Sequence, residues 1–444
     1  MSKRHNRQRA EKLDLGSFLT DQDRGRNPPQ VKQSQPTISP ASPSPLTETL
    51  PPGLIEEQSP PNKPTQPISV IYPPPTLQMT YPESYEASVD ALIKDPTFVA
   101  TRENFERIES IRQRLETFVR DVIPYSTGVA LFGSACSSVM APNSDLDFAV
   151  LLNRHNIDPV IVLRNIKNKM KHGPFSQHLL VSGARVPVLK CSTILPIWTP
   201  EQTKSNDSTK RTQFDMIVEN RLGMHNSEFI HTYCDCDERV RPFLLLVKKW
   251  AKAWEIGDAS QQYLSSYGWN LMGLSFLQQC SPPIIPNLQS EAYMNASKPS
   301  LVVDEMFEQG HVHFSKDPEP WRSLAPGLLP NPSDPSQAAN PRPFNDSSLA
   351  SLFVGFIDFL AHHYVPANAF SLQHGAICKT DSIQHLIRPN KRKPSYVILD
   401  PFQRGRNVGD TVFRPEDIKA SILETVEMIK KGSPFLELVT YPSA

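Results

Sequence analysis

The sequence lacks an excess of charge, because 46 Lys and Arg balance 46 Asp and Glu and the formal net charge is zero. This excludes a basic field over the whole molecule, so any contact with a polyanion must come from local patches. The six cysteines are scattered, without the paired spacing of a zinc site. No run approaches the roughly 20 apolar residues of a membrane span, and the polar N-terminus does not resemble a signal peptide. The composition predicts a soluble intracellular protein with reduced thiols.

Two segments are rich in proline. Residues 1–83 contain 16 of the 44 prolines, and such a segment cannot bury enough apolar surface to offset its ordering entropy. We therefore predict a disordered tail over 1–83 and a flexible loop over about 315–344, where there are eight prolines. The remainder has room for two domains. Strands and short helices alternate over 84–225, whereas the pattern over 226–444 is mostly helical.

Apolar residues recur at helical or strand spacing through both predicted domains. We expect the earliest long helix and the C-terminal segment both to pack on the helical domain. The predicted helices lie at 104–115, 157–171, 240–254, 266–279 and 349–361, and the predicted strands at 128–132, 147–152, 184–191 and 214–218.

The most informative pattern is a Gly-Ser pair followed by two closely spaced acids. Gly133 and Ser134 follow the first strand of the catalytic region, and Asp145 and Asp147 open the next. Side chains two residues apart on a strand share a face, so both carboxylates can meet one divalent cation. Mg²⁺ prefers such oxygens and completes its shell with substrate phosphates, which the Gly-Ser backbone can approach. The layout predicts metal-dependent nucleotidyl transfer; a polar turn with two surface acids is the alternative.

A third acid, Asp215, lies 68 residues after Asp147 inside another apolar strand. Burying a lone carboxylate is costly unless it is paired or bound to a cation. If the two strands are neighbours, the three acids form one cluster whose repulsion a divalent metal relieves. The third acid would also suit removal of a proton from an attacking 3′-hydroxyl. A strand-end surface acid is the alternative.

These motifs resemble the catalytic signature of the DNA polymerase β nucleotidyltransferase superfamily, and within it the noncanonical poly(A) polymerases and terminal uridylyltransferases. The resemblance implies an α+β fold with a polymerase-β-like nucleotidyltransferase domain and a mostly helical poly(A)-polymerase-associated domain. The nucleotide would bind in the cleft between them, and the associated segment would span 345–413. Further segments that resemble this branch lie at 184–190, 219–227, 349–359 and 400–409.

The resemblance also implies which side chains hold the nucleotide. Lys248 and Lys252 share a helix face and would contact the triphosphate, and Ser266 would add a phosphate contact at a helix N-terminus. Tyr267 would stack on the base. A solvated basic face and an ordinary core tyrosine are the alternatives. The residues implied to bond the ribose hydroxyls are Asn220, Asn226 and Ser227.

The segment that begins at Asp400 resembles the family's nucleotide-recognition motif, with two departures. Uridylyltransferases of the family have an acid and a histidine where this chain has Gln403 and Arg406. Asp400 could accept from a base N–H. The fork of Arg406 could donate to uracil O4 and exclude the larger adenine, or it could turn away and contact the RNA. UTP is therefore favoured over ATP, although a single residue can reverse such discrimination.

The resulting hypothesis is template-independent addition of UMP from UTP to RNA 3′ ends, with Mg²⁺ or Mn²⁺ held by Asp145, Asp147 and Asp215. The alternatives are a noncanonical poly(A) polymerase that adds AMP from ATP, and an inactive scaffold in an RNA-silencing or RNA-decay complex. We expect a cytoplasmic monomer that contacts no membrane, with nuclear residence also open. RNA-decay or silencing proteins could bind its tail.

Two further patterns have no role in this hypothesis. His311 and His313 have the spacing of metal ligands, but no third ligand is evident in the sequence, so we expect a surface pair. The basic run 391–393 is a candidate RNA contact, and a solvated turn is the alternative.

Overall fold

The structure is a computed structural model. Most of the predicted tail 1–83, the part 324–344 of the predicted loop and the basic run 391–393 lie outside the residues it describes. The described residues belong to one compact unit. They are 70–71, 79–154, 156–170, 174–183, 186–199, 202, 211–308, 310–323, 345–364, 368–383, 386–387 and 394–440.

The strands in the described part of the chain form one large sheet, one small sheet and a hairpin. The strands are β1 (Val70–Ile71), β2 (Ser126–Phe132), β3 (Leu146–Leu152), β4 (Phe175–Val181), β5 (Val188–Thr193), β6 (Thr212–Val218), β7 (Val302–Phe307), β8 (Gly310–Ser315), β9 (Asn368–Ser371), β10 (Ala376–Lys379) and β11 (Val397–Ile398).

The large sheet has the order β2-β3-β6-β5-β4. β3 and β6 run parallel, and the other neighbours run antiparallel. Phe148 on β3 and Phe214 on β6 meet edge to face in the core, with ring centroids 5.7 Å apart. Because successive side chains of a strand alternate between faces, Asp147 and Asp215 are presented on the opposite face from these aromatic rings.

The helices are distributed around the large sheet and through the second domain. None in the described residues combines the length and apolar character that a bilayer-crossing helix needs. The helices are α1 (Ser84–Leu92), α2 (Arg102–Val122), α3 (Gly133–Cys136), α4 (Pro159–Lys169), α5 (Arg221–Cys236), α6 (Val240–Ala253), α7 (Ser266–Gln279), α8 (Glu291–Ala296), α9 (Glu319–Arg322), α10 (Leu349–Asp358), which continues as a π-helix over Phe359–His363, α11 (Thr380–Ile383), α12 (Pro415–Lys430) and α13 (Phe435–Thr440).

The early helix α2 packs on the large sheet and not, as we expected, on the helical domain. A capping box between Thr101 and Asn104 starts it, and its apolar stripe, including Ile108 and Leu115, joins the buried cluster of the sheet. The shorter helix α1 takes the position we had assigned to α2, since its Tyr85 is buried in the helical domain. There it contacts Phe435 of α13, with ring centroids 5.2 Å apart.

The second domain is centred on α6 and α7, whose bounds agree with the predicted helices to within one residue. Trp250 of α6 and Trp269 of α7 are fully buried and meet edge to face, with ring centroids 5.2 Å apart. α7 begins where the Ser265 hydroxyl accepts a hydrogen bond from the Gly268 N–H at 3.2 Å. This cap fixes the start of the helix, and with it the positions of Ser266 and Tyr267.

The domain limit at 225/226 stays a prediction, and it would fall inside the continuous helix α5. The segment 315–323 is ordered, contrary to the predicted loop, because the Lys316 N–H donates to the Leu301 carbonyl at 2.7 Å and α9 follows. The second domain also contains the small sheet β1-β10-β9-β11 and the hairpin β7-β8, which we did not predict.

Two predicted elements of the catalytic region are shorter than expected, and proline explains both. The strand predicted over 184–191 begins only at Val188, because the preceding Pro187 has no N–H to donate to a ladder. The helix predicted over 157–171 runs over Pro159–Lys169, with Pro159 in its first turn and the Asp158 carboxylate capping it.

Candidate active site

Strand register brings the predicted acids together. Asp147 on β3 is the direct partner of Asp215 on the parallel strand β6, and Asp145 immediately precedes β3. The Lys190 ammonium on β5 pairs with the Asp215 carboxylate, with 2.9 Å between Nζ and Oδ2. Among the described residues the three aspartates are not a compact set of ligand atoms within 4.8 Å of one another.

The electrostatics of Asp147 indicate that the site favours a cation. Burial, and secondarily the neighbouring Asp215 carboxylate, raise the pKa of the Asp147 carboxyl to about 7, against the opposing effect of the Lys248 ammonium. A divalent cation would relieve this repulsion, and carboxylate oxygens are the donors that Mg²⁺ prefers. The charge and donor chemistry of Asp147 and Asp215 therefore suit a magnesium-type ion.

The Gly-Ser bend lies directly against Asp147. Gly133 has a positive φ of 70°, and a Cβ atom there would lie 2.1 Å from the Asp147 Oδ2. Glycine is therefore required on both conformational and steric grounds. The Gly133 N–H donates to the Ser227 hydroxyl at 2.8 Å, and that hydroxyl in turn donates to the Gly223 carbonyl at 2.8 Å. Ser227 thus holds the bend against α5.

A cavity of about 360 Å³ opens beside the bend. It is large enough for part of a nucleotide, and both domains line it. Asp145, Asp215, Asn220 and Lys252 are not among its lining residues. The predicted site residues that line it are Gly133, Ser134, Asp147, Asn226, Ser227, Lys248, Ser266 and Tyr267.

The two predicted lysines have different environments. Lys248 is partly buried in the cavity and donates to the Val139 carbonyl at 3.2 Å. Desolvation, and secondarily the nearby Lys252 ammonium, lower its pKa to about 8. Lys252 lies one turn further along α6 and is exposed. The structure therefore offers Lys248 to a ligand in the cavity and leaves Lys252 at its edge.

The two asparagines predicted to contact the ribose also have different environments. Asn226 accepts a hydrogen bond from the Tyr267 hydroxyl at 3.1 Å, so these two side chains form one wall of the cavity. The Asn220 side chain instead caps α5 by accepting from the Gly223 N–H at 3.3 Å. Its capping role accounts for an asparagine at that position without a ligand.

The recognition loop, residues Asp400 to Arg406, is organised around a fully buried carboxylate. Asp400 Oδ1 accepts from the N–H groups of Phe402 at 3.0 Å and Gln403 at 2.9 Å. Arg406 Nη1 donates to Asp400 Oδ2 at 3.1 Å and to Gln403 Oε1 at 2.9 Å. Asp400 and Arg406 also act electrostatically on the Tyr267 hydroxyl. The loop is therefore close to the tyrosine predicted to stack on the base.

Two residues at the site were not predicted from the sequence. Asn270 lines the cavity, and its buried Oδ1 has no hydrogen-bond partner among the described residues. The signal was available, since Asn270 lies four residues after Ser266 and hence on the same face of α7. Lys190 is the direct partner of Asp215 across β5 and β6. Finding it required the strand register, which the sequence did not provide.

Comparisons with known proteins show what this chain is similar to. The family model for the central palm domain of mitochondrial-like poly(A) RNA polymerase matches residues 95–235. The chain is 29% identical to terminal uridylyltransferase cid1 of Schizosaccharomyces pombe over 340 residues, which cover 74% of this chain and 73% of that protein. It is 28% identical to human terminal uridylyltransferase 7 over 306 residues, or 68% of this chain. Over 263 residues, or 58% of this chain, it is 28% identical to poly(A) RNA polymerase GLD2 of Danio rerio.

The matches cover different shares of these relatives. The chain spans 18% of the length of the human protein and 45% of the Danio rerio protein. Solved structures of Cid1 poly(U) polymerase have a similar fold. The MgGTP complex matches with a TM-score of 0.62 at 23% identity, covering 80% of this chain and 98% of that chain. The predicted polymerase-β-like α+β fold is confirmed, and the chain is similar to terminal uridylyltransferases and noncanonical poly(A) polymerases.

Proposed function

We propose that this protein is a template-independent RNA 3′-terminal nucleotidyltransferase that transfers UMP from UTP. The observation that carries the proposal is the direct pairing of Asp147 with Asp215 on parallel strands beside the Gly133–Ser134 bend. Relatives that are terminal uridylyltransferases support the reaction class. A similar solved structure is that of a cytoplasmic RNA terminal U-transferase, which supports action in the cytoplasm.

Different side chains would have different roles in the reaction. Asp145, Asp147 and Asp215 would hold Mg²⁺ or Mn²⁺, which when bound stabilises charge on the attacking and leaving oxygens. Asp215 is only half-buried and can take the proton of the RNA 3′-hydroxyl. The N–H and hydroxyl of Ser134 donate to a phosphate, and the Lys248 ammonium offsets triphosphate charge. Positioning and charge neutralisation supply most of the rate in phosphoryl transfer.

The recognition loop would select the base. Its bonds to Asp400 and Gln403 hold the Arg406 guanidinium in one orientation, within electrostatic range of Tyr267. Both bonds engage Nη1, and the other N–H groups of the fork are the donors that would reach uracil O4. An adenine held over Tyr267 would present its exocyclic amine, a donor, to the same fork. This donor–donor conflict favours UTP over ATP.

The test uses the purified full chain, a short labelled RNA, Mg²⁺ and each ribonucleoside triphosphate separately. We expect extension with UTP and much less with ATP. Extension with ATP alone would overturn the base assignment and leave an adenylyltransferase. If no nucleotide is incorporated by a folded wild-type protein with Mg²⁺ or Mn²⁺, the enzyme proposal fails and a scaffold role takes its place.

A further inference from the structure

The hairpin β7-β8 gathers three metal-ligating side chains that the reaction does not use. Asp304 is the direct cross-strand partner of His313, and His311 lies two residues before His313 on the same strand. In an antiparallel pair this register places all three side chains on one face. The expectation that His311 and His313 lack a third ligand was therefore wrong, since Asp304 comes from the neighbouring strand.

The distances suit a shared ion. One ligand atom from each of the three residues lies within 4.8 Å of the other two, and among the described residues no other set of three meets this condition. His311 Nε2 and Asp304 Oδ1 are 2.6 Å apart, and the two imidazole centroids are 5.2 Å apart. Ligands of a tetrahedral Zn²⁺, at about 2.0–2.2 Å from the metal, would need only small side-chain rotations from this arrangement.

The donor types also suit ligation. Imidazole suits zinc, copper and nickel, whereas Mg²⁺ prefers an oxygen-only shell. A set of two histidines and one carboxylate is therefore chemically distinct from the three aspartates of the active site.

We propose that Asp304, His311 and His313 form a site for a divalent transition metal of the zinc type, with water completing the shell. His311 and His313 line a second cavity, of about 770 Å³, whose other side is the recognition loop. That cavity leaves room for the water. The proposal does not depend on the nucleotidyl-transfer reaction.

The metal site is coupled directly to the recognition loop. The His311 N–H donates to the Phe402 carbonyl at 2.9 Å, and a Cβ atom on Gly310 would lie 2.1 Å from the same oxygen. The Gln289 amide donates both to the Pro401 carbonyl at 3.1 Å and to the His313 carbonyl at 3.3 Å. A bound ion would therefore brace the hairpin at the residues that hold the loop.

The test measures metal directly. The full chain, prepared without a histidine tag and stripped with a chelator, is dialysed against Zn²⁺ in excess Mg²⁺, which occupies the aspartates. Wild type is compared with the double variant His311→Asn/His313→Asn and with His362→Asn. The last is a matched control, because His362 also pairs with an aspartate, Asp358, at 2.8 Å but belongs to no set of three ligands. All cysteines are present in every variant, so the contribution of the thiols cancels.

We expect wild type and His362→Asn to retain one more Zn²⁺ per chain than the double variant. With Co²⁺ they should show the visible absorption of a tetrahedral site, and the double variant should not. Asp304→Asn should weaken Zn²⁺ binding by at least about tenfold, since even the loss of outer-shell partners costs that much. Equal metal content and equal Co²⁺ spectra in wild type and the double variant would overturn the proposal. If the double variant fails to fold by circular dichroism, Asp304→Asn alone decides, and unchanged Zn²⁺ affinity in it overturns the proposal.

Discussion

Asp147 and Asp215 lie on the central strands of the large sheet, whereas Asp400, Gln403 and Arg406 lie on a loop of the second domain. The strand register fixes the two acids relative to each other without help from their own side chains. The loop residues hold one another, through the buried Asp400 carboxylate and the Arg406 fork. The sheet therefore supplies groups that every substrate needs, and the loop supplies groups whose exchange can alter which nucleotide is accepted. Changes on the sheet should abolish the reaction, and changes on the loop should redirect it.

The largest loss of activity is expected when an acid on the large sheet is replaced. Asp147→Asn should lower incorporation of every nucleotide by at least about 1,000-fold, because losing a metal ligand removes several kcal/mol of transition-state stabilisation. Its thermal stability without divalent metal should not fall, since the change removes a carboxylate that Asp215 repels. Primer extension and a melting curve test both points, with the exposed Asp121→Asn as a control. Retained extension by Asp147→Asn would refute the assignment of the acids.

A smaller loss is expected at Lys248, which lines the cavity together with Asp147. Lys248→Met should weaken binding of the nucleotide by roughly 10- to 100-fold, the value of a charge-assisted hydrogen bond. The effect should appear mainly as a higher KM. The exposed Lys252→Met is the matched control on the same helix and should have a much smaller effect. Steady-state kinetics with varied UTP measure the difference. Equal losses in the two variants would show that the cavity does not distinguish the lysines.

A substitution in the recognition loop should act on the choice of nucleotide and should not stop the reaction. Arg406→His should raise the preference for UTP over ATP or leave it unchanged, because a histidine there restores the residue of the uridylyl branch. Discrimination of base edges spans a few kcal/mol, so a shift of about tenfold is within reach. The ratio of kcat/KM values for UTP and ATP is the measurement, with the adjacent exposed Arg404→His as control. A switch to ATP would contradict the role given to Arg406.

The smallest effect is expected at Asn270. Asn270 lines the cavity, and its buried Oδ1 has no hydrogen-bond partner among the described residues. Asn270→Leu should therefore raise the KM for the nucleotide by about five- to tenfold, the net value of one neutral hydrogen bond. The melting temperature should not fall, because a buried polar atom without a partner is removed. A lower melting temperature with unchanged KM would assign Asn270 to packing.

The contrast between local patterns and contacts across the chain also explains what the sequence could predict. Period-two patterning around Asp147 and Asp215 located both strands, and α6 and α7 were located to within a residue, because each pattern is local. The pairing of Lys190 with Asp215, the third ligand Asp304 and the capping role of Asn220 depend on contacts between distant segments or on side-chain direction. Local periodicity contains neither kind of information. Prolines inside apolar runs misled the limits of β5 and α4 for the same reason.

The hydrogen bond from the Gly133 N–H to the Ser227 hydroxyl joins the Gly133–Ser134 bend to α5. The same hydroxyl donates to the Gly223 carbonyl, so it ties the bend to the first turn of that helix. A displacement of α5 would therefore pull on the peptide of Gly133, which packs against Asp147 Oδ2 without room for a Cβ atom. The serine hydroxyl is thus the link by which a shift of this helix would be transmitted to a proposed metal ligand.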